Sequence, residues 1–205
     1  DNFNAVGLLY KRILDIVGGV LGTFFVFVIF PFVAIAIKLD SPGPILFKQT
    51  RVGRHGRYFN IYKFRSMYQD AEQRKQELMA KNEMNGAMFK VTDDPRITRV
   101  GKWLRKTSLD EFPQFLNVLR GEMSLVGTRP PTPEEVNEYK LWHLRRISAK
   151  PGITGLWQIS GRNKITDFEE VVALDCQYLD NWRFLDDLKI LFATVLVVLQ
   201  RKGAL

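Results

Sequence analysis

The chain has 205 residues and carries 30 Lys and Arg against 22 Asp and Glu, a formal charge of +8. Its length suits one domain, or one domain with an appendage, and with 46% hydrophobic and 25% charged residues it is neither a disordered tail nor a low-complexity fibre. Cys176 is the only cysteine, which excludes an intramolecular disulfide, and together with His55 and His143 it is too few for a Cys/His zinc site.

The charge is uneven. Residues 1–67 hold nine basic residues and three acids, so most of the positive excess sits in the first third. A basic face of this kind seeks phosphate, whether of nucleic acid, anionic lipid or a nucleotide substrate. Ile16 to Ile37 then runs for 22 residues without a charge, about 33 Å as a helix and enough to cross a bilayer core. Two readings compete. One is a spanning helix kinked at Pro31. The other is a re-entrant helix broken near Phe30-Pro31, which keeps both basic flanks (Lys11 and Arg12; Lys38, Lys48, Arg51 and Arg54) on one side. The evidence of the flanks favours the second.

Asp40-Ser41-Pro42-Gly43-Pro44 is a turn cluster that closes this segment. Ile45–Thr50 and Tyr58–Phe64 read as two strands of a hairpin around Gly53-Arg54-His55-Gly56. A polar helix is predicted over Gln69–Met84, stopped by Asn85-Gly86, and a short basic helix over Pro95–Lys106. The next helix opens at Asp110 or Glu111, with Phe112, Phe115, Leu116 and Leu119 on one face and Gly121 at its end. Thr132-Pro133-Glu134-Glu135 and Thr166–Glu169 carry capping-box signatures. Leu188–Leu199 is too short to span a membrane, and reads equally as a buried core helix or an interfacial amphipathic one. The whole is an α+β, mostly helical fold. Residues 1–39 read as an N-terminal re-entrant membrane region and residues 40–205 as a single domain that forms one functional unit with it.

No Walker loop, GxGxxG, GxSxG or HExxH occurs, and two histidines leave little room for imidazole chemistry. What remains is carboxylates beside arginines. Asp110 and Glu111 are placed by Pro113 in a first helical turn, where unpaired N–H groups favour anions. Acids there are also ordinary caps, and Ser108 with Glu111 could form a capping box. With Arg96, Arg99, Lys102 and Arg105 just upstream, the pair suits phosphoryl transfer, one carboxylate attacking or holding a divalent ion while arginines neutralise phosphate oxygens. Lys63-Phe64-Arg65 ends the second strand, and Gly127-Thr128-Arg129-Pro130-Pro131 is a stiff loop presenting one arginine. Aromatic residues do not interleave a basic stripe, which argues against nucleic acid as the partner.

Several long segments occur in an order that resembles the monotopic phosphoglycosyl transferases, the bacterial sugar transferases that begin polysaccharide assembly. They are Leu39–Gly53 (LDSPGPILFKQTRVG), Tyr62–Met67 (YKFRSM), Leu104–Pro130 (LRKTSLDEFPQFLNVLRGEMSLVGTRP) and Lys150–Arg162 (KPGITGLWQISGR). LVGTRPPT, GLWQISGR and DNW look most like hexose-1-phosphate transferases of capsule and exopolysaccharide systems, and a first residue of Asp1 suits a catalytic piece of a longer protein. The resemblance implies a magnesium-dependent enzyme on the cytoplasmic face of the bacterial inner membrane. Its partners would be a UDP-sugar (glucose or galactose), undecaprenyl phosphate and membrane lipid, with a second copy of the chain as a candidate partner. It implies that Asp110 is the nucleophile and takes a phosphosugar as UMP leaves, and that undecaprenyl phosphate then removes it. Glu111 assists and, with Asp110, holds Mg2+; Lys63, Arg65, Arg105 and Arg129 bind phosphates. It also implies the re-entrant helix, which the family breaks at a Ser-Pro pair where this chain has Phe30-Pro31. The competing readings are a membrane glycosyltransferase that releases UDP and a non-enzymatic basic module at the membrane surface.

Overall fold

The computed structural model describes residues 5–161 and 165–200. Arg162, the last residue of the GLWQISGR segment, lies outside them. The chain begins with one long helix, α1 (Ala5–Asp40). A hairpin follows, β1 (Leu46–Val52) and β2 (Tyr58–Phe64), antiparallel with Leu46 opposite Phe64 and Val52 opposite Tyr58. Then come α2 (Arg99–Lys106), a 3-10 helix over Leu109–Gln114, α3 (Phe115–Leu119), β3 (Ser124–Val126) and α4 (Pro133–Asn137). The chain closes with β4 (Gly152–Thr154), parallel to β3, and with α5 (Leu156–Ile159), α6 (Phe168–Asp180) and α7 (Phe184–Leu199). This is the α+β, mostly helical, monotopic architecture expected.

α1 is long and apolar enough to cross a membrane, and most of its surface is exposed. Phe24, Phe27 and Phe32 each stand about seven-tenths exposed, which water would not tolerate in a row on a monomeric soluble protein. Its other face lies on the body of the protein along its whole length. Near its start, Lys11 pairs with buried Asp187 at 2.6 Å and donates to Val126 O at 2.9 Å. Asp15 accepts from Ser124 Oγ and Leu125 N at 2.9 and 2.8 Å. Phe25 meets Phe112 and Phe30 meets Phe64. Asp40 accepts from Val100 N at 2.8 Å, at the N-terminus of α2. Both flanks of the apolar segment therefore rest on one body, which a helix standing alone across a bilayer would not allow.

The expected break at Phe30-Pro31 is corrected. Helical conformation continues through Pro31, and α1 is a single helix. This chain has no hydroxyl before the proline to take up freed backbone, and helical register keeps Phe30, Val33 and Ile37 together on the cluster with Phe64 and Leu104. Small residues set how closely α1 approaches. A Cβ on Gly22 would fall 2.3 Å from the Phe115 ring, and one on Gly19 would fall 2.8 Å from Leu119.

Other boundaries moved for local reasons. The polar helix contracts to a 3-10 segment, Gln73–Lys81. Asn82 ends it, because its amide donates to Met84 O and Met88 O while its carbonyl oxygen accepts from Met84 N and Lys90 N. The basic helix starts at Arg99, not Pro95, because Thr98 caps it by accepting from Gly101 N. The last soluble helix is capped by Asp167 in place of Thr166, whose carbonyl is taken by Asn85 N. α7 combines the two readings offered for it. Asp187 and Ile190 are buried, while Leu185, Phe192, Val195 and Leu199 form an exposed apolar face.

Overpacking a tight helix contact costs about 1–3 kcal/mol. Gly22→Val should lower the unfolding free energy of the detergent-solubilised chain by that order, seen as a fall in the thermal midpoint. Leu21→Val, one position away on the exposed face, should change it by less than about 0.5 kcal/mol.

Candidate active site

Asp110 and Glu111 enter through a strained turn. Ser108 takes a left-handed conformation with φ 56° and makes no side-chain cap. A non-glycine residue there stores strain of about 1–3 kcal/mol, a pattern concentrated at functional sites. The capping box offered as the ordinary explanation is not formed. Glu111 instead turns its carboxylate across to the hairpin, where Lys63 Nζ lies 2.8 Å from Oε1, and Gln114 donates its amide to Oε2. Asp110 is buried at 6% exposure, and its charge acts on Lys63.

The hairpin is held to this segment by Asn117, which is fully buried. Its amide accepts from Tyr62 N at 3.3 Å and donates to Asn60 O at 2.7 Å, so it replaces a missing third strand. Lys63 is thereby fixed opposite the carboxylates. Burial pulls the Lys63 ammonium below the ordinary lysine range, with Arg51 pushing the same way, and Glu111 and Asp110 oppose that pull.

A second ion pair adjoins the first. Arg129 grips Glu135 with two parallel bonds of 2.9 and 3.1 Å, the fork geometry in which guanidinium meets carboxylate most strongly. Glu135 is also the capping-box residue of α4, exchanging bonds with Thr132. Arg51 extends to Pro130 O at 2.9 Å and Gln49 Oε1 at 2.6 Å, while its buried Nε has no partner among the described residues. Burial and then neighbouring Arg129 pull Arg51 down, against Glu135 and Glu111. Burial also opposes the Arg129 charge, yet Glu135 outweighs it and holds the guanidinium up, with Glu111 contributing. For Glu135 burial acts upward, but Arg129, its hydrogen bonds and Arg51 prevail, so it sits below the ordinary glutamate range.

Of the six residues singled out in the sequence, Asp110, Glu111, Lys63 and Arg129 are thus coupled in one network. Arg105 donates from Nε to Ser66 Oγ at 3.0 Å. Arg65 is elsewhere engaged. Its guanidinium donates to Ser41 O at 2.6 Å, to Ile37 O at 3.4 Å and to Pro42 O, because the last turn of α1 leaves carbonyls without helical partners. In this structure it anchors the end of α1. Sequence reasoning missed Arg51, Gln114 and Glu135. Arg51 lay inside a quoted motif, and Glu135 was legible only as a cap. Among the described residues no group of three or more His, Cys, Asp or Glu gathers as a metal site.

Adjacent carboxylates facing partly buried cations, on a body fastened to an exposed apolar helix, make a site suited to phosphate chemistry. Residues 6–201 match the family described as bacterial sugar transferase, and the chain belongs to that family. It is 56% identical to the galactosyl transferase CpsE of Streptococcus agalactiae over 96% of this chain and 44% of that protein. It is 48% identical to the undecaprenyl-phosphate galactose phosphotransferase of Salmonella typhimurium (79% and 35%). It is 41% identical to the undecaprenyl-phosphate glucose phosphotransferase of Komagataeibacter xylinus (92% and 35%). The chain spans less than half the length of these three relatives.

Removing one partner of a buried charged hydrogen bond costs about 1–3 kcal/mol, so Glu135→Gln should destabilise the chain by that order. A depressed carboxylate stabilises above its unfolded pKa and loses that contribution as pH falls through its folded one. The gap between wild type and Glu135→Gln in denaturant titrations should therefore be full at neutral pH and shrink below the ordinary glutamate range.

Proposed function

We propose that this chain transfers a hexose 1-phosphate from a UDP-sugar to undecaprenyl phosphate, releasing UMP, at the cytoplasmic face of the bacterial inner membrane. The observation that carries the reading is the buried Asp110 beside the Lys63–Glu111 pair, on a body that α1 holds against an apolar phase. The relatives named for undecaprenyl-phosphate galactose and glucose transfer support the acceptor and leave both hexoses as donors.

In this reading an Asp110 oxygen attacks the phosphorus that bears the sugar. The bond from that phosphorus to the UMP oxygen breaks, and UMP leaves with the electron pair. An acyl phosphate joins the sugar to the enzyme. The phosphate of the polyprenyl lipid then attacks the same phosphorus, and the Asp110 carboxylate departs unchanged. Arg129 and Arg51, whose buried Nε lacks a partner among the described residues, neutralise the diphosphate oxygens. Lys63 holds Glu111, and Glu111 holds Gln114, so the strand and the helical turn keep one spacing.

Magnesium fits this site as a companion of the substrate. The network sets Lys63, Arg51 and Arg129 against Asp110, Glu111 and Glu135, so its charges already balance. A diphosphate adds negative charge that a divalent ion would offset. Mg2+ is commonly held by one or two carboxylates plus substrate phosphates, and Asp110 with Glu111 supplies such a pair. Bound there, the ion would supply charge stabilisation at the phosphate.

Asp110→Asn should reduce turnover by at least about three orders of magnitude, as loss of a nucleophile does. With sugar-labelled donor and no acceptor, the wild type should carry label on protein and the variant none. UMP should be the nucleotide released. Release of UDP, or full turnover by the variant, would refute the reading.

A further inference from the structure

A second basic site lies well away from these carboxylates. Its cavity holds about 800 Å³ between the start of α1, the hairpin turn and the segment leading into β4. Arg12 belongs to it, whereas the helix position nearest the catalytic turn is Phe25, which stacks on Phe112. Thirteen residues of helix separate the two, about 20 Å.

Several of its cations are already committed. Lys11 is bound to Asp187, Arg145 to Asp180, and Arg12 donates to Val118 O and Leu119 O. Lys150 and the side chain of Arg54 make no hydrogen bond or ion pair among the described residues. Lys150 is nonetheless only partly exposed. Gly121, at φ 77°, brings the heads of Lys150 and Arg12 together, because the point where a side chain would begin there lies 3.7 Å from both Nζ of Lys150 and Nη2 of Arg12. The two charges are thus no further apart than about twice that distance. Burial, followed by the charge of Arg12, pulls the Lys150 ammonium down, against the opposing pull of Asp15, whose carboxylate is already taken by Ser124 Oγ and Leu125 N. The structure holds like charges together over an open volume and spends burial on doing so, which is the environment a phosphate relieves.

The rim of the cavity says where that phosphate comes from. Leu8 lines it, and Val6, Leu9, Tyr10 and Ile13 beside it are exposed on the lipid-facing side of α1. We propose that Lys150, Arg12 and Arg54 form a non-catalytic site for a phosphate group, and that its source is the headgroup of an anionic phospholipid lying against the start of α1. Such a contact would fix the depth and tilt at which the body meets the membrane, at the end of α1 opposite the catalytic turn. Anionic lipid attracts juxtamembrane cations in this way.

The test uses the full chain in neutral detergent, titrated with short-chain phosphatidylglycerol, with phosphatidylcholine of the same chain length, and with inorganic phosphate. Wild type should bind phosphatidylglycerol at least about tenfold more tightly than phosphatidylcholine, and Lys150→Glu should lose that difference. Arg54→Glu, on a turn whose tip is exposed, guards against misfolding of the first variant and should weaken binding in the same direction. Asp110→Asn should bind as wild type does, so failure here is separable from failure of the catalytic reading. Inorganic phosphate binding as tightly as the lipid would reassign the source and overturn the lipid part of the proposal. Equal affinity for both lipids, or unchanged affinity in both charge-reversed variants with native thermal midpoints, would overturn it entirely.

Discussion

Everything in this molecule is organised by the long shared face between α1 and the body beneath it. The face is closed by polar bonds at both ends and by aromatic and glycine contacts between them. The Lys11–Asp187 pair is nearly dry, and Asp187 also accepts from Tyr178 and Trp182, so the start of α1 is tied to α6 and α7 at once. Asp40 and Arg65 tie the other end to α2 and to β2. An apolar segment held at both ends in this way cannot stand upright through a bilayer while the body stays in water. It can only lie against or dip into one leaflet, with its phenylalanines toward lipid and its glycines toward protein. One face of the helix thus serves the membrane and the other the folding of the domain.

That constraint gives the Asp110–Glu111 turn its setting. Phe112, two residues beyond Asp110, stacks on Phe25 of α1, so the carboxylates are positioned by the membrane helix itself. On their other side they are positioned by the hairpin, through Asn117 and Lys63. A lipid substrate keeps its tail in the bilayer and its phosphate at the surface, and a carboxylate that meets it must sit at headgroup depth. The packing of Phe112 under α1 fixes the carboxylates beside that helix, which is the placement the proposed transfer to a lipid phosphate requires.

Much of this was legible in the residues. The hairpin, the α4 capping box and the pairing of an uncharged stretch with basic flanks follow from patterns that local physics enforces. The misreadings share a cause. Whether Pro31 breaks a helix depends on what Phe30 packs against, and Phe64 is far away in sequence. Asn82 ends its helix early because four backbone groups converge on one amide. Glu135 read as a cap because capping is local, while its pairing with Arg129 arises from a loop whose geometry only the fold supplies.

The balance of charge inside the site explains why it can persist without substrate. Unpaired cations at this depth would carry a heavy desolvation cost, and unpaired carboxylates a similar one. Lys63 with Glu111 and Arg129 with Glu135, each cation about a quarter exposed, offset part of that cost in advance, leaving the strained Ser108 turn and an Arg51 Nε without a partner among the described residues as the departures from an ordinary structural network. In the proposed reaction, a diphosphate entering here would compete with carboxylates already bound to the cations it needs. Arrival of substrate is then an exchange of partners rather than the filling of a vacant pocket.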